Sequence, residues 1–180
     1  DDLALADADI QGLRLRVGPG SAAVLTGSSA GALRALALTI AGRVTPEGGR
    51  LRVAGHLLPG RAAWVRAHVG AVVVADAGSF SADISEALRG TPALVVIDGV
   101  DRLSRSERDQ LAARLRDASA VTAVLMTARS PESALDVLAD AGRAAADVID
   151  VDAPAAGPGR PISSAPHGAD EPSESTEVKA

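Results

Sequence analysis

The chain has 180 residues, 47% of them apolar but only 1% aromatic, and a net charge of −5. That is enough for one domain whose core must be built from Leu, Val, Ile and Ala. The charge gives no general attraction to nucleic acid or to an anionic membrane, and the lack of cysteine excludes disulfides and zinc–thiolate sites.

No apolar run reaches the length of a membrane span, and no signal peptide is visible. The chain opens on Asp1 rather than Met, which leaves room for an upstream segment. Lys179 is the only lysine, and the abundance of Ala, Gly and Arg suits GC-rich coding, so the arginines carry little functional weight on composition alone.

Strands and helices alternate along the chain. Leu13–Val17 (LRLRV) has the alternation of a half-buried strand, and SAAVLTG supplies a second. A helix is expected over Ala32–Ala41, then a strand over Leu51–Gly55 after the turn TPEGG. The run Val69–Ala75 (VGAVVVA) suits a buried parallel strand, SADISEALRG a short helix, and Ala93–Asp98 (ALVVID) is the strongest strand signal.

Ser104 and Glu107 form a capping box ahead of a helix that puts Leu111 and Leu115 on one face. Val121–Thr127 (VTAVLMT) is another buried strand. Ser130 is the expected N-cap, and Pro131 the first residue, of the next helix. Ala146–Val151 closes the sheet. The expected fold is α/β, with three layers and a mostly parallel sheet. Because LRLRV, SAAVLTG and LRVAG follow with few helices between them, a small N-terminal part is expected to be antiparallel. The domain is expected over residues 1–152. Residues 153–180, which hold half of the ten prolines and almost no large apolar side chain, read as a disordered Pro/Ser/acidic tail.

In such a sheet, ligands bind at the carboxyl ends of the strands. Two segments fall there. One is Gly27-Ser28-Ser29-Ala30-Gly31-Ala32-Leu33-Arg34, a turn of small residues between an apolar strand and a helix. The other is Asp98, which ends ALVVID. A loop of the first kind can cradle phosphate with its backbone amides, and an acidic residue after a neighbouring strand can support a metal. For Arg34 a solvent-facing position on the helix is favoured over phosphate contact. Leu33 either packs into the core or caps a closed pocket. Asp98 is equally suited to a vestigial metal contact and to hydrogen bonds with a neighbouring backbone or helix terminus. His56 and His68 have no neighbours at metal-ligand spacing, His167 reads as a solvated residue of the tail, and Ser28 and Ser29 have no candidate histidine base.

The order of segments resembles the ATP-binding cassette (ABC) transporter ATPases. Their phosphate loop is followed by "aG…P-x-x-G-x-(I/V/L)-x-(I/V)-x-G", and Pro46, Gly49, Val53 and Gly55 fall on that pattern. The likeness runs from about Leu13 to Leu135 and implies a P-loop NTPase-like fold. It implies ATP and Mg²⁺ as cofactors, with Gly27 to Arg34 on the nucleotide and Asp98 on the metal. It also implies a membrane permease or a paired ATPase subunit as partner, and a cytoplasmic place, peripheral to the inner face of the plasma membrane.

The family's functional motifs are degenerate in this chain. Its glycine, lysine and hydroxyl residue fall on Ala32, Leu33 and Arg34, its catalytic glutamate on Gly99 and its histidine on Arg129. Its glutamine loop falls near Ala75, where no Gln stands, and the interval from there to Asp98 holds room for one short helix rather than the helical subdomain and signature motif. No aromatic precedes Trp64 to stack on adenine. These losses imply a pseudo-ATPase, weakly nucleotide-binding or not binding at all, in a membrane transport system. The alternatives are an active ATPase that uses Arg34 and Asp101 or partner-supplied residues, and a protein-interaction module on an inherited fold.

Overall fold

The computed structural model describes residues 6–10, 13–46, 48, 50–74, 80–143 and 146–153. In chain order it forms β1 (Ala6–Ile10), β2 (Leu13–Val17), β3 (Ala22–Thr26), α1 (Ala30–Ile40), β4 (Arg50–Val53), β5 (His56–Leu58) and α2 (Ala62–His68). There follow β6 (Val69–Val73), α3 (Phe80–Ala87), β7 (Leu94–Asp98), α4 (Arg105–Asp117), β8 (Ala123–Ala128), α5 (Glu132–Asp140) and β9 (Asp147–Asp150). A short 3-10 turn, Val100–Arg102, follows β7.

Five strands make a parallel sheet in the order β6-β7-β8-β3-β9, and four make an antiparallel sheet in the order β2-β1-β4-β5. The expected three-layer α/β fold is therefore present. Alternation explains the layers: on β7, Val95 and Ile97 face one core while Leu94 and Val96 face the other. The first core is closed by α3, α4 and α5 through residues such as Ile84, Leu111 and Val137. The second is closed by α1 and α2 through Leu33, Ile40 and Val65, and by the antiparallel sheet through Leu15, Leu51 and Val53. With β7 and β8 buried along their whole length, both faces of the central sheet are covered.

Some expectations need correction. The expected small antiparallel part is present and is built from β1, β2, β4 and β5, while SAAVLTG joins the parallel sheet. β1 (ADADI) has poor strand propensity, but its register sets Asp7 opposite Arg16 and Arg52, and Asp9 opposite Arg14 and Arg50. α1 begins at Ala30, two positions before the expected Ala32, because Ser29 caps it by accepting the Ala32 N–H at 3.2 Å. At α5 the cap position falls on Pro131, while the Ser130 hydroxyl bonds the Glu132 carboxylate instead of a backbone amide. The capping box at Ser104 forms in full, with the Ser104 N–H donating to Glu107 Oε2 at 2.8 Å.

Several arginines tie helix ends to their neighbours. Arg143 donates to the carbonyls of Leu115, Ser119 and Thr122, and Arg66 to that of Gly42. The tail expected over 153–180 lies outside the described residues apart from Ala153, and so does the Ala75 position. Among the described residues no helix is long and apolar enough to cross a membrane.

Candidate functional site

The carboxyl ends of β3, β7 and β8 lie side by side, with Asp98 directly opposite Thr127 in the register. Above them is a cleft of about 280 Å³ whose lining includes Leu33, Asp98, Asp101, Arg102, Thr127 and Arg129.

The β3–α1 connection contains only Gly27, Ser28 and Ser29. Gly27 is required by close approach, since a Cβ there would lie 2.7 Å from Val151 Cγ2. The Ser28 N–H donates to Asp152 Oδ2 at 2.6 Å, so a carboxylate from just beyond β9 occupies an amide of the turn. That hydrogen bond holds the Asp152 carboxyl below the ordinary aspartate value of 3.8, with a second contribution from the Ser28 side chain. A pKa depressed by folding stabilises the folded chain above the unfolded value and loses that contribution as pH falls through the folded one. The amide signal of Ser28 in an NMR titration should therefore move with a midpoint below pH 3.8. A midpoint at or above that value would mean that the contact is absent.

Ala30, Gly31 and Ala32 are exposed first-turn residues of α1 and do not wrap around a ligand-sized space before the helix starts. Gly31 in particular has no need to be glycine: a Cβ there would meet nothing nearer than Ser29 Oγ at 3.9 Å. Gly31→Ala should raise stability by about 0.5–1 kcal/mol in urea denaturation, as in an ordinary helix. A loss of stability would show that the position is strained. Leu33 packs into the core beneath α1, being 2% exposed, and it also lines the open cleft.

Asp98 is 1% exposed and its carboxylate is fully engaged. Oδ1 accepts the Thr127 hydroxyl at 2.7 Å, while Oδ2 accepts Arg34 Nε at 2.9 Å and Arg102 Nη2 at 3.4 Å. Thr127 Oγ1 in turn accepts the Gly99 N–H at 3.0 Å. The favoured solvent-facing reading of Arg34 is thus overturned. α1 packs over β7, and the position after buried Leu33 carries the guanidinium down to Asp98, leaving the side chain 40% exposed.

Gly99, where the resembling family has its glutamate, is left-handed with φ 82°, and Arg102 lies over it. A Cβ at 99 would sit 2.5 Å from Arg102 Nη2. Asp101 pairs with Arg129 at 3.0 Å, so the residue at the family's histidine position closes an ion pair across the cleft. Sequence reasoning missed Arg102 and Thr127 altogether. The spacing of Asp98 and Arg102 by four was the available signal for one of them.

His56, Trp64 and His68 form a separate stack, with ring centroids 3.8 and 3.9 Å apart, and take no part in the cleft lining. Among the described residues no group of three or more His, Asp or Glu side chains is placed to hold a metal ion.

No family profile matches the chain, and no curated protein does. Its fold is similar to that of a bacterial Atm1-family ABC exporter solved with ATP bound, with a TM-score of 0.54 and 14% sequence identity. The match covers 73% of this chain but only 35% of the exporter chain.

Proposed function

We propose that this chain is an ABC-type domain whose nucleotide site is closed from within, acting as a non-hydrolysing subunit of a membrane transport system. Its partner is a membrane permease or a paired ATPase subunit at the inner face of the plasma membrane. The observation that carries this reading is the Asp98 carboxylate, which holds two guanidinium groups of its own chain where a metal-supporting acid would need an open oxygen. A divalent ion would have to displace Arg34 and Arg102 from a buried carboxylate before it could bind. Leu33, buried where the family has lysine, and Gly99, covered by Arg102 where it has glutamate, support the same reading. The exporter likeness supports the fold and, as a proposal only, the transport association.

A turnover assay of the purified chain with Mg-ATP tests it. The expected result is no hydrolysis above buffer. Hydrolysis abolished by Asp98→Ala would overturn it. A second reading takes Arg34, which holds the Asp98 carboxylate, and Asp101, which lines the cleft beside it, as substitute catalytic groups. It requires turnover that Arg34→Ala removes.

A further inference from the structure

We infer that a second cleft, at the opposite end of the parallel sheet, is a site for a small zwitterion: a free α-amino acid with an apolar side chain. The inference goes beyond the closed-site reading and does not rest on it. The cleft of about 240 Å³ lies between the ends of α3 and α4 and the segments that enter β7 and β8. Its lining includes Leu88, Thr91, Pro92, Arg114, Asp117 and Ser119. Asp98 stands at the other end of β7, so the two clefts are separate.

Opposite charges stand here unjoined. Arg114 and Asp117 are exposed and three residues apart on α4, a spacing at which helix neighbours ordinarily meet. Yet neither forms an ion pair among the described residues. The charged groups around them are engaged elsewhere. Glu86 and Arg89 pair with each other on α3 at 2.6 Å, and Arg116 donates to the Asp140 carbonyl. Arg143 donates to the carbonyls of Leu115, Ser119 and Thr122. Arg114 is left to take a carboxylate and Asp117 an ammonium. A ligand with one charge would satisfy one of them and leave the other to water. Leu88 and Pro92 supply an apolar wall for the ligand's side chain.

The backbone adds an independent sign of a built site. Thr91 is left-handed with φ 52°, a conformation that a β-branched residue rarely adopts, and it follows left-handed Gly90. Strain of this kind gathers at ligand clamps. The floor beside it is fixed, because the buried Thr122 hydroxyl donates to the Pro92 carbonyl at 2.8 Å. Size limits the ligand: the cleft is below the roughly 300–1,000 Å³ that encloses drug-sized molecules, which suits one amino acid better than a longer peptide.

The experiment is an NMR titration of the ¹⁵N-labelled full chain with L-leucine. Saturable shifts are expected at the amides of Leu88, Thr91, Ala118 and Ser119, with a Kd of about 1 mM, since exposed charge contacts are weak. Arg114→Gln and Asp117→Asn should each lower the affinity about fivefold, and the same spectra report the fold of each variant. N-acetyl-L-leucine, which lacks the ammonium, should bind about fivefold more weakly than leucine and respond to Arg114→Gln alone. L-leucinamide, which lacks the carboxylate, should be weakened as much and respond to Asp117→Asn alone. No saturable shift by about 20 mM leucine, or an affinity that neither substitution changes, overturns the inference. Either single-charge compound binding the unaltered chain as tightly as leucine overturns the zwitterion assignment, whatever the variants do. Glycine binding as tightly as leucine overturns the apolar side chain.

Discussion

Replacing Arg34 and Arg102 together with alanine should destabilise the fold by about 3–5 kcal/mol at pH 7, because it leaves a buried carboxylate without a cation. Asp98 is 1% exposed, and after both substitutions its strong remaining partner is the Thr127 hydroxyl. Each single substitution should cost less, with Arg34→Ala the larger effect, since its contact is 2.9 Å against 3.4 Å for Arg102. Adding Asp98→Asn to the double variant should return a large part of the loss, because the uncompensated charge is then gone. Urea denaturation of the four variants measures all of this. If the double variant lost less than about 1 kcal/mol, the pairs would be of the weak surface kind, and Asp98 would have another source of compensation.

Gly70→Ala should cost about 3 kcal/mol, near the upper end of what overpacking usually costs. A Cβ on Gly70 would lie 2.0 Å from the carbonyl oxygen of Ala87 and 2.8 Å from its carbonyl carbon. These are backbone atoms at the end of α3, so no side chain can swing aside, and β6 or α3 must move. Because β6 is the edge strand beside β7, the displacement would propagate to the strand that carries Asp98. Thermal and urea unfolding check the value. A loss below about 1 kcal/mol would mean that α3 is free to shift away from the sheet.

The layers of this fold were legible because its central strands are unusually plain. LVVID is buried at every position and reads as an apolar run ended by Asp98, and the Ser104–Glu107 capping box marks α4 in the sequence and in the structure alike. α2 was not legible. It has seven residues and buries only Val65, too short and too polar to display a helical period. β1 was hidden because ADADI has poor intrinsic strand propensity and is placed by its pairing with β2 and β4.

At the site, the sequence placed the Gly27–Arg34 segment and Asp98 at the carboxyl ends of the strands, and the structure brings them together there. The contact between Arg34 and Asp98 spans 64 positions and depends on how α1 lies over β7, which no local pattern encodes. The early start of α1 at Ala30 was missed because the motif spacing drew the eye to Ala32, whereas Ser29 is the better N-cap. Once α1 starts there, Leu33 is directed to the core, and the next residue reaches the acid that the motif reserves for a metal.

The most direct test is a titration of the ¹⁵N-labelled chain with Mn²⁺, in the presence and absence of ATP, followed by paramagnetic broadening of the amide signals around Asp98. With Arg34 and Arg102 on the carboxylate, Gly99, Val100, Thr127 and Ala128 should keep the same relative intensity as residues remote from the cleft. Selective loss of those four signals at low Mn²⁺ would place a metal on Asp98 and contradict the closed site.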